Sequence, residues 1–382
     1  DHEYIGTGCI AAGKVMINGI INIYKEKGFT SHDVVAKLRG ITRQKKIGHT
    51  GTLDPDAEGV LPVCLGKATK VCGVLTDKDK IYETTLLLGV ETDTQDVSGR
   101  VVRECDTIRL TKEMVERCIW GYIGEYMQVP PMYSALKVNG RKLYELARVG
   151  KEVERKARKV TVYDIRVLEM ELPRVRMEVH CSKGTYIRTL CHDIGTALGC
   201  GGCMESLLRT KVSQFTLAES VCLSQVEEYQ RQGRLWELVL PVDEMFASLK
   251  EAFVRPGYIS HACNGNALTT GQVVFAGSEP DVGGLFSEKS KGILQDGEGV
   301  RIYLRSGEPR QANGKPVDGA YLPNGDAPLS EDGMRTLETV SGRVFVGIYR
   351  YDVKKGRLVL ENMFLDGEEA DKLRKNGYAM FK

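Results

Sequence analysis

The segment Gly48-His49-Thr50-Gly51-Thr52-Leu53-Asp54-Pro55-Asp56-Ala57-Glu58-Gly59 concentrates reactive side chains in a turn-forming frame. Two familiar chemistries are excluded by spacing. A phosphate-binding loop needs G-x-x-x-x-G-K-[ST], but Gly66-Lys67 is followed by Ala68, and Leu61 occupies the place of the first glycine. A calcium loop needs a bidentate Glu at its twelfth position, and counting from Asp54 that position is Leu65. What remains is a carboxylate on a tight loop. Gly48, Gly51 and Gly59 let the backbone turn sharply and approach a ligand, and Pro55 stiffens the chain directly after Asp54. Beside a fixed His49, Asp54 suits nucleophilic or base chemistry. It equally suits an Asx-type turn in which the carboxylate caps its own backbone. The residue types alone leave both readings open.

The other candidate constellation is Cys200-Gly201-Gly202-Cys203. A zinc site built on such a pair needs a second pair at matching spacing, and none follows, so two free thiols in a glycine-rich turn are expected, with no metal. The 11 cysteines of the 382-residue chain are odd in number and scattered. They argue for a reducing cytoplasm rather than a disulfide framework. No apolar run is long enough to span a membrane.

Net charge is only +2, yet it is unevenly spread. Residues 25 to 46 hold seven basic against two acidic side chains, a local +5, and residues 132 to 160 hold nine against three, a local +6. With Tyr133 and Tyr144 in the second cluster, such patches suit a phosphate backbone, although solvated helix faces carry similar runs.

The elements that must position Asp54 read as follows. Ile17 to Tyr24 is a β-branched strand, and Ser31 caps a helix with Val34, Val35, Leu38 and Ile41 on one face. Val60 to Leu65 is extended, Thr69 to Leu75 a short helix, and Lys80 to Val90 an alternating strand followed by a turn from Glu91 to Gly99. Thr111 to Trp120 is helical. Pro130-Pro131 interrupts any helix, and Arg141 to Val149 is a short one. Lys159 to Leu168 and Arg174 to Ser182 alternate as strands, and Gly184 opens a helix reaching Leu198. Without strict βαβ alternation the class is α+β. Composition shifts after Asp243. Val344 to Tyr351 and Arg357 to Met363 flank a Lys-Lys-Gly turn, which indicates a small β-rich domain from 251 to 382 with a long irregular insertion over about 277–340. Met16 is read as the natural start, with residues 1–16 set aside as a leader or cloning remnant.

The segment from Gly48 resembles the signature G-H-x-G-x-L-D-P-x-A-x-G-V-L of the TruB-type tRNA pseudouridine-55 synthases. Lys25-Glu26-Lys27-Gly28-Phe29-Thr30-Ser31 resembles that family's first motif, with Glu26 in place of proline. Leu65 to Lys70, Asp79 to Glu83, Gln128 to Lys137, Cys181 to Arg188 and Leu207 to Thr210 resemble its further motifs in the same order, over residues 17 to 245.

The resemblance implies a pseudouridine synthase catalytic domain over 17–246, with a mixed, largely antiparallel sheet flanked by helices, and a PUA-like RNA-binding domain after it. It implies isomerisation of uridine to pseudouridine in the T loop of tRNA, at position 55, with no cofactor and no metal. Asp54 would be the catalytic carboxylate, by addition to the base at C6, attack at C1′ or glycal formation. Arg188 would be its guanidinium partner; otherwise it is a surface ion pair or phosphate contact. Tyr82 would stack on the target base; otherwise it belongs to the core face with Thr84, Leu86 and Leu88. His49 would contact the RNA loop, Lys25 and Tyr186 would position or line the pocket, and Gly51 and Leu208 would belong to the substrate site. The expected partner is the tRNA T arm alone, bound by a monomer in the cytoplasm without an obligatory protein partner. A guide-RNA-dependent dyskerin-type synthase and a weakly catalytic RNA chaperone are the alternatives.

Overall fold

The computed structural model describes residues 16–138, 140–276, 294–305, 343–365 and 367–376. The alternating and β-branched runs form a nine-stranded sheet whose main path uses seven strands. These are β1 (Gly19–Lys25), β2 (Glu58–Leu65), β3 (Lys80–Leu88), β4 (Gly124–Gln128), β5 (Arg158–Glu171), β6 (Arg174–Cys181) and β7 (Gly202–Val212). Their order is β1-β2-β7-β3-β6-β5-β4. β7 runs parallel to β2 and antiparallel to β3, and the β3-β6-β5-β4 ladders are all antiparallel. The sheet is therefore mixed and largely antiparallel, and the class is α+β.

Helix α1 (Ser31–Thr42) buries Val34, Val35 and Leu38, while Ile41 is only half-buried. Its cap is Thr30, not Ser31. Thr30 accepts from Asp33 N, and Asp33 answers with its carboxylate in a capping box. Ser31 is freed for another task described below. Helix α2 (Lys112–Trp120) is capped by Thr111. Helix α3 (Ile187–Ala197) starts three residues later than Gly184, because Gly184 takes φ +78° in a turn outside the helix. Leu190 and Ile194, one turn apart, are fully buried with Leu86, Val162, Val175, Met177 and Val179. Each such side chain contributes roughly 1.5–3 kcal/mol, so the sheet face under α3 is a rigid support.

Two other expectations shift. The segment from Thr69 is a 3-10 turn, Gly66–Val71, continued by a short helix, Cys72–Thr76. β7 was not anticipated at all. It lies in the middle of the sheet and is bulged at Met204/Ser206 and Arg209/Lys211, so its period of two is broken.

The chain divides into two compact units. One comprises 21–64 and 71–238. The other comprises 16–20 and 65–70 together with the described residues from 239 to 376. The second is built on a six-stranded sheet of Lys250–Val254, Leu268–Thr269, Val273–Phe275, Gly299–Arg305, Arg343–Asp352 and Arg357–Met363. The C-terminal region is β-rich, as read. The irregular stretch expected over 277–340 is interrupted by the strand Gly299–Arg305, which pairs with both Lys250–Val254 and Arg343–Asp352. The rest of that stretch, 277–293 and 306–342, lies outside the described residues, as do residues 1–15. Among the described residues no helix is long and apolar enough to cross a membrane.

Candidate active site

The turn that carries Asp54 is pinned on both sides of it. The Ser31 hydroxyl accepts from Leu53 N at 2.9 Å and donates to Leu53 O at 3.3 Å. Pro55 O accepts from Gly28 N at 2.9 Å and from the Lys25 ammonium at 3.2 Å. Lys25 has no exposed surface and also donates to Phe29 O at 2.6 Å and Glu26 O at 3.2 Å. Burial lowers its pKa to about 8. It fastens the strand-to-helix connection of the first motif to the Asp54 turn, and it adds nothing to the basic surface counted from the sequence.

Among the described residues, no hydrogen bond ties the Asp54 carboxylate to its own turn; only its backbone oxygen does so, accepting from Ala57 N at 3.1 Å. The carboxylate instead meets Arg188, 134 positions away, with Nη2 at 2.5 Å from Oδ2. Arg188 stands on the first turn of α3 with 7% of its side chain exposed, against 41% for Asp54. Its other terminal nitrogen, Nη1, lies 3.7 Å from Asp96 Oδ2. Asp96 is itself held, accepting from Thr94 Oγ1 at 2.9 Å and Ser98 N at 3.0 Å, while Thr189 donates to Gln95 Oε1 at 2.7 Å. Burial raises the Asp54 pKa; the Arg188 charge pulls it down, Asp96 pushes it up, and Lys25 pulls it down. The guanidinium is thus the main feature keeping this half-buried carboxylate ionised.

Tyr82 on β3 is 9% exposed and packs in the same buried cluster as Leu53 and Ala57, the apolar residues of the Asp54 turn. It is at once a core aromatic and a neighbour of the carboxylate, so the two sequence readings are not exclusive. Burial raises its pKa, opposed by the charge of Arg209. Tyr186 precedes α3. Its N–H donates to Gln128 Oε1 at 2.8 Å and its carbonyl accepts from Gln128 Nε2 at 3.0 Å, which locks Gln128 of the Pro-Pro segment to the arginine motif. Burial raises its phenol pKa, and Arg188 and Asp54 both act on it. His49 ends the short strand Ile47–His49, stands edge-on to His32 at 5.5 Å, and has its pKa lowered by burial. Gly51 turns with φ +106° and its carbonyl accepts from Arg209 Nη2 at 3.3 Å. Leu208 is half-buried on β7 beside Glu58 and Glu83.

Asp54, Tyr82 and the neighbouring pair Tyr186 and Arg188 are therefore gathered from three distant segments. His49, Lys25 and Gly51 support or flank the same turn. Sequence reasoning missed Asp96 and Arg209. The signal for Asp96 was a second carboxylate in the Asp93-Thr94-Gln95-Asp96 turn, read only as punctuation, and Arg209 stood inside a motif from which only Leu208 was taken. Cys200 and Cys203 are buried free thiols whose pKa values burial raises. Among the described residues no group of three or more His, Cys, Asp or Glu side chains could hold a metal ion.

An anionic group clamped by a cation, with aromatic rings beside it, is the equipment of an enzyme that attacks or deprotonates a planar substrate. Comparison with known proteins agrees. The profile of the TruB family pseudouridylate synthase N-terminal domain matches residues 39–187, and that of the tRNA pseudouridylate synthase B C-terminal domain matches 188–247. The chain is 56% identical over 260 residues to tRNA pseudouridine synthase B of Lachnoclostridium phytofermentans, covering 66% of this chain and 84% of that protein. It is 46% identical over 264 residues to the Alkaliphilus oremlandii protein of the same name, covering 69% and 87%. The fold is similar to a solved Cbf5-Nop10-Gar1 complex, with a TM-score of 0.59 and 23% identity, covering 92% of this chain and 86% of that one. The chain belongs to the TruB family of pseudouridylate synthases.

Proposed function

We propose that this chain isomerises uridine to pseudouridine in the T loop of tRNA, at position 55, with Asp54 as the catalytic carboxylate. The observation that carries the reading is the ion pair between Asp54 and Arg188 beside Tyr82. The reaction breaks the bond from uracil N1 to ribose C1′, turns the base, joins C5 to C1′, and moves one proton from C5 to solvent while N1 gains one. Atoms and electrons balance within the substrate, so the account invokes neither cofactor nor metal. An ionised carboxylate starts the sequence, by addition at C6, by attack at C1′ or by assisting glycal formation. Arg188 keeps it charged, and the Tyr82 and Tyr186 rings offer faces for an extruded base. Extrusion costs a few kcal/mol, which stacking offsets. His49 and the exposed Arg43, Lys45 and Lys46 beyond α1 are the proposed approach for the RNA loop, and the β-rich C-terminal unit is the proposed PUA-like aid to affinity.

The stand-alone reading is favoured over a guide-RNA-dependent one because the similar proteins named tRNA pseudouridine synthase B are 44–56% identical, whereas the Cbf5 complexes share only 21–23%. A monomer acting in the cytoplasm is the proposed working form. The test is purified protein incubated with an isolated T-arm stem-loop and no partner. Pseudouridine at the T-loop uridine supports the reading, and product only with added guide RNA or protein overturns it.

A further inference from the structure

Arg209 heads the large fully buried side chains among the described residues, at 1% exposure. It lies on β7, directly opposite Tyr82 across the antiparallel ladder and beside Gly59 across the parallel one. Nε donates to Val60 O at 2.7 Å and Nη2 donates to Gly51 O at 3.3 Å, while the ladder sets Arg209 and Tyr82 side by side. Among the described residues no carboxylate pairs with it. A lone buried cation is costly, and a well-packed apolar residue is ordinarily the more stable choice. Gly51 and Gly59 both take positive φ, +106° and +105°, and a Cβ on Gly59 would come within 2.2 Å of the Arg209 carbonyl, so glycine there lets the two strands meet at Arg209.

We propose that Arg209 is a positioning residue for the isomerisation: its guanidinium ties the Tyr82 hydroxyl to the backbone of the Asp54 turn, so that ring and carboxylate are held as one unit. The proposal rests on the roles given to Asp54 and Tyr82 above. Gly51 is three residues from Asp54, so a guanidinium bonded to Gly51 O and to the Tyr82 phenol fixes the distance between the group that attacks and the ring that receives the base. A lysine keeps the charge but cannot reach three acceptors in a plane.

The test is a double-mutant cycle on the full chain with Arg209→Lys, Tyr82→Phe and the pair. It is read by single-turnover pseudouridine formation, T-arm affinity and thermal melting. Arg209→Lys is expected to lower the rate by about 10- to 100-fold while affinity stays within about twofold. In the Tyr82→Phe background the same change is expected to cost no more than about twofold, because its partner hydroxyl is already gone. Equal losses in both backgrounds, or an unchanged rate in Arg209→Lys, overturn the proposal. If Arg209→Lys melts below the assay temperature, Arg209→Gln is read the same way, and failure of both to fold assigns Arg209 to fold support alone and overturns it too. Wild-type turnover and the inactivity of Asp54→Asn are measured alongside. Failure of those controls overturns the functional reading and this proposal with it, whereas an additive cycle with the controls intact overturns only the proposal.

Discussion

Replacing Arg188 with Gln removes the charge that holds Asp54 ionised and leaves a shorter, neutral amide. A charge-assisted hydrogen bond contributes roughly 1.5–3 kcal/mol. Arg188 is 7% exposed but Asp54 is 41% exposed, so solvent screens one end and about 1.5 kcal/mol is the appropriate figure. That is about tenfold in the balance between carboxylate and carboxylic acid. Loss of orientation should lower the rate by about 10- to 100-fold at every pH. The sign of the pH effect follows from the causes. Burial already raises the Asp54 pKa and Arg188 opposes it, so removal raises it further, and the acidic limb of the rate profile moves to higher pH. The part of the loss that comes from protonation should return as pH rises through the shifted limb. The assay is single-turnover product formation from labelled tRNA at saturating enzyme across the acidic limb. An equal loss at every pH, with the limb unmoved, refutes the claim that Arg188 sets the charge state; a rate within about threefold of wild type refutes its role altogether.

Asp96→Asn removes the carboxylate 3.7 Å from Arg188 that raises the Asp54 pKa, so it should shift the same limb to lower pH while slowing the reaction about tenfold through a looser Arg188; a shift to higher pH contradicts the arrangement. Lys25→Met leaves three carbonyls without their ammonium donor and should cost about 1–3 kcal/mol, or several degrees of melting temperature, with T-arm affinity unchanged. Because burial lowers the Lys25 pKa to about 8, wild-type stability should gain from rising pH between about 8 and the unfolded value near 10.5, and the Met variant should lose that gain. Weaker RNA binding at unchanged melting would show instead that the Lys25 charge reaches RNA. Lys156→Glu with Lys159→Glu should flatten the slope of log affinity against log salt by about two phosphate contacts, since both lysines are exposed and the one ion pair of Lys159, to Glu125, is itself exposed; an unchanged slope makes this cluster a solvated face.

The Asp54 turn was legible because glycine and proline spacing constrains a loop locally. So were β3, β5 and β6, whose alternation survives on a half-covered sheet. β7 was not: a bulged strand in the sheet centre loses its period of two, and the signal for Arg209 went with it. The Thr30 cap was misassigned to Ser31 because either hydroxyl satisfies the capping pattern. What separated them was a tertiary partner, Leu53, 22 positions away. Asp96 was illegible for the same reason, since its importance lies in a contact with Arg188 that no local spacing announces. The pairing of Arg188 with Asp54 came from motif resemblance, and 134 positions of intervening chain carry no local rule that would supply it.

The central claim is that Asp54 is there for its charge. Asp54→Asn keeps the shape and removes the charge, and the folded chain can tolerate it: burial raises the Asp54 pKa, so a neutral group relieves a penalty at neutral pH, and Asp96 remains beside Arg188. Melting should stay within about 4 °C of wild type, and T-arm affinity should hold. Asp56→Asn, exposed two residues away, is the control. Single-turnover mapping of pseudouridine in a T-arm stem-loop should show full product with wild type and Asp56→Asn, and a loss of several orders of magnitude with Asp54→Asn. Substantial turnover by Asp54→Asn, with deamidation back to Asp excluded by mass, would contradict the account.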